Sequence, residues 1–317
     1  MDMIKNIINV IQKNHNFLLT THLSPDGDAL GSIIALGLAL EKLNKKVDYY
    51  IDPSIPEKFN FLPKIQNLSC NVLDKQYEIG IILDCGDINH LYDRTILKKC
   101  NTIINIDHHI NNQNYGNMNY INSKAGATGE IIYEIIEFLG VELDHNISKA
   151  LYTAIVTDTG NFKYSNVTSK THYIVSELLR IPIDAWKINK KLFDEYPRSK
   201  IFLVKRAIDN LQFLLGGRLA IIVITQDDLK DIGCSPKEIE GIINIARNII
   251  GVEVAILLKE TASNEFKISF RSNEYVDVGE IALRLGGGGH SRASGCIMHG
   301  NRDEIMSILK GIVEKKL

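Results

Sequence analysis

The chain has 317 residues with 45% apolar and 23% charged side chains, enough for about two domains that each bury a core and far from a disordered or collagen-like composition. Its 36 Lys and Arg against 38 Asp and Glu leave a net charge of −2, without the basic excess of a protein that grips long nucleic acid through many phosphates. Any nucleic-acid partner is therefore expected to be short.

The first residues, MDMIKNIINVIQKNHN, have an early acid and amphipathic spacing instead of the basic end and apolar block of a secretory leader. FLLTTH is an apolar run rich in β formers, and after the turn SPDG the segment DALGSIIALGLALEKL has helical apolar spacing. Its most apolar part, residues 29–40, is shorter than the roughly 18 residues of a membrane span, so a core helix, a cytoplasmic chain and no membrane partner are expected. KVDYYID and YEIGIILD read as strands, residues 88–99 as a helix and TIINID as a further strand. Continuous apolar strands alternating with helices predict a parallel sheet covered on both faces. Helices are expected at about 127–139, 145–156 and 170–179. A helix-forming stretch from 183 to about 215, interrupted at Pro197 and ended by Gly216 and Gly217, reads as a connector.

Beyond it come the strand RLAIIVI and a helix opened by Ser235 and Pro236, with Glu238 placed to complete a capping box. VEVAILLKE and EFKISFRS read as strands joined by the hairpin loop ETASNE. A helix over 278–285, the loop GGGGH, the strand RASGCIM and a helix from Arg302 complete the chain. The fold class is α/β and two-lobed. It has an N-terminal, mostly parallel sheet flanked by helices over 1–183, a helical connector over 184–215 and a smaller α/β lobe with a mixed sheet over 216–317. Cys70, Cys85, Cys100, Cys234 and Cys296 form no C-x-x-C pair and read as buried free thiols.

Polar residues collect where four apolar elements end: His22 to Asp28, Asp84 to Asp87, Asp107 to His109, and Thr157 to Phe162. Strand ends in an open α/β sheet face the ligand crevice, so these groups are expected to converge. Asp26, Asp28 or Asp158 taken singly reads as a turn former or helix cap. Together, however, so many carboxylates repel unless cations neutralise them. Oxygen and imidazole donors without a cysteine set favour manganese or magnesium, with zinc, cobalt or iron as alternatives. The donors exceed the needs of one ion. Two divalent ions sharing a carboxylate would clamp the attacking and leaving oxygens of a phosphoryl transfer.

HLSPDGDALGS, LDCGDIN, NIDHH and TDTGNF, in this order, resemble the motifs of the DHH phosphoesterase superfamily, and FRS with GGGGHSRASG resembles its DHH-associated C-terminal domain. Over its whole length the chain resembles the stand-alone bifunctional oligoribonuclease and phosphoadenosine phosphatase type, the nano-RNases. The resemblance implies hydrolysis of short RNA and DNA oligonucleotides and dinucleotides to mononucleotides, and removal of the 3′-phosphate of 3′-phosphoadenosine 5′-phosphate (pAp). It also implies that His22 and Asp26 bind one metal ion, that Asp28, His108 and Asp158 bind a second, and that Asp84 bridges them. Asp107 then orients ligands, and His109 contacts the scissile phosphate or leaving oxygen. Asp87 is balanced between a role in the site and a helix cap. Where related sequences often carry Arg, this chain has His90, with Arg94 as a candidate replacement.

Arg271 with Ser272 and the backbone N–H groups of Gly287, Gly288 and Gly289 beside His290 is the candidate contact for the substrate's far phosphate. Arg292 is a weaker candidate, and Trp186 is expected to pack on the connector. A long-strand exonuclease is opposed by the charge balance, and a family II pyrophosphatase by the GGGGH element. A cyclic dinucleotide phosphodiesterase is the closer alternative, and a non-catalytic nucleotide sensor the more distant one. The oligomeric state is left open and is compatible with a homodimer.

Overall fold

Residues 2–68, 75–239 and 241–317 are described here from a computed structural model. Helix α1 (Asp2–Lys13) presents Ile4, Ile7, Ile8 and Ile11 to the core, the one-sided spacing of an amphipathic helix. Strand β1 (Asn16–Thr20), helix α2 (Gly27–Lys42) and strands β2 (Lys46–Tyr50), β3 (Tyr77–Leu83), β4 (Cys100–Asp107) and β5 (Met118–Ile121) follow. The five strands form a parallel sheet in the order β2-β1-β3-β4-β5. Helices α3 (Thr128–Phe138), α4 (His145–Asp158), α5 (Ser169–Leu179) and α6 (Ala185–Asn189) complete this part of the chain.

Alternation along the strands divides the two faces. Phe17, Leu19, Ile79, Ile81, Leu83, Ile104 and Ile106 enter the main core with α2, α3 and α4. On the other face Leu18 and Ile82 meet Ile96 and Leu91. That second cover is not the helix expected over 88–99. It consists of two 3₁₀ turns, Ile88–His90 and Arg94–Lys99, because the carboxylates of Asp87 and Asp93 accept from the N–H groups of Asn89 and Thr95 and restart the chain twice.

The connector stretch is interrupted at Pro197, as its sequence implies, and is further divided on either side of it. After α6 comes a single π turn (Lys190–Asp194) and extended backbone at Glu195 and Pro197. Helix α7 covers Arg198–Asp209, and Gln212–Leu214 is a strand, β6. The break follows from Pro197, whose fixed φ suits a helix start and whose ring cannot sit inside one. Trp186 does not pack as expected: it is 71% exposed, with Lys190 Nζ 5.3 Å from its ring centroid. The five-residue α6 buries only Ile188. The chain divides into two compact units, one ending at Glu195 and the other running from Tyr196 to Leu317.

In the second unit β6 and α7 are joined by β7 (Leu219–Ile224), α8 (Gln226–Ile232), α9 (Ile243–Arg247), β8 (Val254–Ala262), β9 (Glu265–Ser272), α10 (Val278–Arg284), β10 (Gly288–His290), β11 (Ala293–His299) and α11 (Arg302–Glu314). The mixed sheet has the order β10-β11-β9-β8-β7-β6, with β7 and β8 parallel and the other pairs antiparallel. Helices α7 to α9 pack on Ala220, Ile222, Ala255 and Leu257, while α10 and α11 pack on the opposite face. The helix expected from Ser235 is a 3₁₀ turn, Pro236–Ile239. Glu238 Oε1 does accept from the Ser235 N–H at 2.9 Å, one arm of the capping box, but Gly241 with φ of 82° ends the run.

The hairpin between β8 and β9 is tighter than expected, with Ser263 and Asn264 alone between the strands and Asn264 at φ of 57°. Nor is GGGGH wholly a loop, since part of it pairs with β11 as β10. Gly289 there has φ of 138°, and a Cβ on it would lie 2.5 Å from Ser294 Cα. Cys85, Cys234 and Cys296 are buried free thiols and Cys100 is a half-buried one; Cys70 lies outside the described residues. No helix among the described residues is long and apolar enough to cross a membrane.

Candidate metal centre

The carboxyl ends of β1, β3 and β4 each deliver one polar motif: His22 and Asp26 follow β1, Asp84 follows β3, and Asp107 ends β4 before His108 and His109. Asp26 also caps α2, its Oδ1 accepting from the N–H groups of Asp28 and Ala29 at 3.0 Å each. The cap thus fixes a carboxylate at the site. Asp158 arrives from α4, whose approach to α2 depends on glycine. A Cβ on Gly27 would lie 2.4 Å from the Thr157 side chain, and one on Gly31 would lie 2.4 Å from the Ala150 carbonyl. Without those two glycines the helices would separate and carry Asp158 away from Asp28.

Donor atoms of His22, Asp26 and Asp84 lie within 4.8 Å of one another, as do those of Asp28, His108 and Asp158. Asp84 faces both groups with different oxygens: Oδ2 is 3.7 Å from His22 Nε2, and Oδ1 is 3.7 Å from His108 Nε2. His108 Nε2 is also 3.4 Å from Asp158 Oδ2 and 3.9 Å from Asp28 Oδ2. The residue between these groups is itself strained, with Asp84 at φ of 55°, a conformation that non-glycine residues keep only where the surroundings impose it.

Hydrogen bonds from neighbouring segments orient the donors. His108 Nδ1 lies 3.2 Å from the Ala125 carbonyl and His22 Nδ1 2.7 Å from the Leu23 carbonyl, so each ring turns Nε2 toward the carboxylates. Asp28 accepts from Ser32 Oγ and from the Thr128 and Gly129 N–H groups at the start of α3. Thr128 Oγ1 donates to Asp84 Oδ1 at 3.0 Å. Asn166 donates through Nδ2 to the carbonyls of Gly126 and Asp158 at 2.8 and 3.1 Å. Asp107, fully buried, accepts from His109 Nδ1 at 2.7 Å and from Asn112 Nδ2 at 2.6 Å.

Charge is poorly balanced among these groups. Burial, then Asp84 and Asp158, push Asp28 well up from the ordinary carboxyl range. Asp26 rises through burial and Asp84. Asp158 is pushed up to about 7 by burial, with Asp84 and Asp26 adding to it against the pull of His108. Asp84 is itself held low, since His22, His108 and His109 outweigh its burial. Burial opposes the charge on His22, but Asp84 raises it to about 9; His109 rises to about 9 through its hydrogen bond to Asp107. A divalent cation bound among these carboxylates would relieve the repulsion, and the donor set of carboxylate oxygens and imidazole nitrogens fits such an ion. The neighbouring Cys85 thiol is pushed up to about 11 by burial and donates to the Asp87 carbonyl, which sets it outside the ligand set.

Asp87 stands apart from the metal groups and caps its 3₁₀ turn, accepting from the Asn89 N–H at 2.8 Å. Arg94 is exposed, and its Nη1 donates to Asn89 Oδ1 at 2.7 Å. His90 contributes its carbonyl, which accepts from the Leu23 N–H at 2.7 Å. Sequence reasoning passed over Thr128, Asn166 and Asn112, which have no charge. The signals for them are the run of small residues AGATG leading into α3 and the Asn residues that follow two of the motifs.

In the second unit, Arg271 and the exposed His290 lie on strands that both pair with β11, across Ala293. Ser272 is not beside Arg271: strand alternation turns it inward, where it is buried and donates to the Ser291 carbonyl at 3.2 Å. Gly287 is closely packed, since a Cβ there would lie 2.2 Å from the Gly295 carbonyl, whereas Gly288 faces open space. Arg292 donates to the Val276 and Glu274 carbonyls and braces that loop.

Residues 16–156 match the DHH family, N-terminal domain, and residues 216–315 match the DHHA1 domain. The chain is 30% identical over 283 residues to the bifunctional oligoribonuclease and PAP phosphatase NrnA of Thermus thermophilus, covering 89% of this chain and 84% of that one. It is 30% identical over 322 residues to the probable bifunctional oligoribonuclease and PAP phosphatase NrnA of Streptococcus mutans, covering 99% and 100%. Among solved structures, an exopolyphosphatase-related protein of Bacteroides fragilis shares the fold with a TM-score of 0.93 at 23% identity, covering 99% of this chain and 96% of that one.

Proposed function

The chain belongs to the DHH phosphoesterase family, and from that membership we propose that it hydrolyses short oligonucleotides and dinucleotides to mononucleotides and removes the 3′-phosphate of pAp. The observation that carries this reading is Asp84, whose two oxygens face two separate donor groups in a chain similar over nearly its whole length to two oligoribonucleases and PAP phosphatases. His22, Asp26 and Asp84 would hold one divalent cation and Asp28, His108, Asp158 and Asp84 a second, with manganese preferred over magnesium for a mixed imidazole and carboxylate set. Cations bound there stabilise charge on the attacking and leaving oxygens of an in-line displacement at phosphorus.

The chain's own residues hold the remaining parts of the reaction. Asp107 holds the His109 ring through Nδ1, and in its protonated form the ring would donate Nε2–H to the phosphate or the leaving oxygen. Asn112 holds Asp107 in turn. In the second unit Arg271, His290 and the exposed N–H groups of the glycine segment would bind the substrate's distant phosphate. Asp87 and Ser272 take no direct part in this scheme.

The test is a substrate panel with manganese-loaded protein: pAp, a linear dinucleotide, a five-residue RNA, cyclic di-AMP and pyrophosphate. Turnover of the first three with little on the last two is expected. Faster turnover of cyclic di-AMP or pyrophosphate than of any linear substrate would overturn the proposal.

A further inference from the structure

Glu130, in the first turn of α3, is a buried acid that belongs to neither donor group. Its Oε1 accepts from Thr171 Oγ1 of α5 at 2.6 Å, and the Gly126 N–H also faces the carboxylate. The other oxygen, Oε2, is buried without a hydrogen-bond partner among the described residues. Lys170 attracts the carboxylate but is itself paired with Glu134. A carboxylate buried with one idle oxygen is costly. A glutamine of the same shape would brace the segment without that charge.

A glutamate at the third helical position ordinarily closes a capping box by accepting from the N–H of the N-cap residue. Here the N-cap is Ala127, which makes no side-chain cap, and the carboxylate reaches past it to Gly126. That approach needs glycine, because a Cβ on Gly126 would lie 2.7 Å from Glu130 Oε1 and 3.2 Å from Thr171 Oγ1. The peptide that carries the Gly126 N–H carries the Ala125 carbonyl at its other side. This carbonyl lies 3.2 Å from His108 Nδ1. A carbonyl only accepts, so Nδ1 holds the proton and Nε2 keeps its lone pair for a cation. One planar unit thus joins a buried carboxylate to a ring of the metal centre. Hydrogen bonds linked in this way polarise one another in a low-dielectric interior, and a carboxylate on the N–H side makes the carbonyl a stronger acceptor. Asn166 holds the following peptide by donating to the Gly126 carbonyl at 2.8 Å.

We propose that Glu130 is a positioning residue for the metal centre, acting through the Ala125–Gly126 peptide to hold the His108 ring with Nε2 toward Asp28, Asp84 and Asp158. This inference rests on the function proposed above, because His108 is one of the donors assigned there to a cation. Its effect is on cation affinity and on the His108 ring, not on the hold of the segment as such.

The experiment compares the wild type with Glu130→Gln, which keeps an acceptor for Thr171 and Gly126 but removes the charge, and with Glu130→Ala, which removes both. Manganese Kd is measured by calorimetry, Tm is measured after chelation, and the His108 Nδ1–H resonance is followed by NMR of chelated protein carrying isotope-labelled histidine. For Glu130→Gln the weaker manganese Kd rises by about tenfold, the lower end of the range for outer partners of metal ligands. Its Nδ1 proton moves upfield as the hydrogen bond to Ala125 weakens, while Tm is no lower than that of the wild type. A merely structural brace gives a different pattern: wild-type Kd and an unmoved Nδ1 proton in Glu130→Gln, with losses confined to Glu130→Ala. That pattern overturns the inference. So does a wild-type His108 protonated at Nε2 and not at Nδ1, a result that depends on neither variant's folding. If the wild type binds no manganese, the proposed function falls, while the Nδ1 resonance in Glu130→Gln still decides whether Glu130 acts on His108.

Discussion

The candidate metal centre of the first unit and the sheet face of the second that carries Arg271 are opposites in charge, burial and construction. Around Asp84 and Asp28, both almost fully buried, carboxylates crowd until three of them, Asp26, Asp28 and Asp158, rise from the ordinary carboxyl value. Around Arg271 and Lys267 the side chains are half-exposed or exposed and the charge is positive. The first region needs every donor held at a fixed atom, because its chemistry depends on where cations sit. The second needs only matched charge and room, because holding a phosphate tolerates small displacements. Substitutions should therefore be severe and independent of substrate in the first region, and mild and dependent on substrate in the second.

The largest expected effect is that of Asp84→Ala. It removes the oxygens shared by both donor groups, and turnover on pAp, a dinucleotide and a small chromogenic diester should all fall by more than about a hundredfold, roughly 3 kcal/mol. A variant that keeps more than a tenth of wild-type turnover with both metals bound would show that Asp84 does not join the two groups. Next comes Asn166→Ala, which frees the Asp158 and Gly126 carbonyls from their shared donor. Outer hydrogen-bond partners of metal ligands are worth about 10- to 100-fold in metal affinity, so the manganese Kd should weaken by that factor while turnover at saturating manganese recovers. An unchanged Kd would leave Asn166 as a brace for the loop alone.

Arg271→Ala should lower kcat/KM on a dinucleotide by about tenfold or more, the worth of one charge-assisted hydrogen bond, and leave the small diester unchanged. Equal losses on both substrates would instead give Arg271 a structural role. The smallest effect concerns pH and the metal-free protein. Asp158, with its carboxyl raised to about 7, favours folding in its protonated form. That contribution is fully present below the unfolded value near 4 and is lost as pH rises through about 7. His22 and His109, raised to about 9, lose theirs as pH climbs from about 6.5 through 9. The Tm of chelated protein should therefore fall as pH rises across this range, and manganese should raise Tm more at the alkaline end. A Tm that rises with pH after chelation would show that repulsion among these carboxylates does not govern the metal-free state.

Legibility in the sequence followed the same division. The apolar strands of the first sheet and the core helix α2 were plain because continuous Ile and Leu runs admit few other readings. The candidate metal ligands stand out because Asp and His lie at strand ends in a fixed order. Residues 88–99 were misread because helical spacing of Ile88, Leu91 and Ile96 does not register that Asp87 and Asp93 can each cap a new turn. Gln212–Leu214 was absorbed into a helix because a three-residue edge strand owes its existence to pairing with β7 and not to its own pattern. Asn166 and Thr128 were invisible for a related reason: their value lies in which distant atoms they reach, and a single sequence does not display distance. Lys259 and Lys267 likewise become neighbours only through the register of β8 and β9.

The account rests on two cations sharing Asp84, and titration of metal-free protein with manganese, followed by native mass spectrometry and turnover of pAp in parallel, measures that arrangement. Two ions per chain are expected, with turnover rising as the second site fills, absent after exhaustive chelation, and a single ion retained by Asp84→Ala at most. Full turnover in chelated protein, or in protein that binds only one manganese ion at saturation, would contradict it.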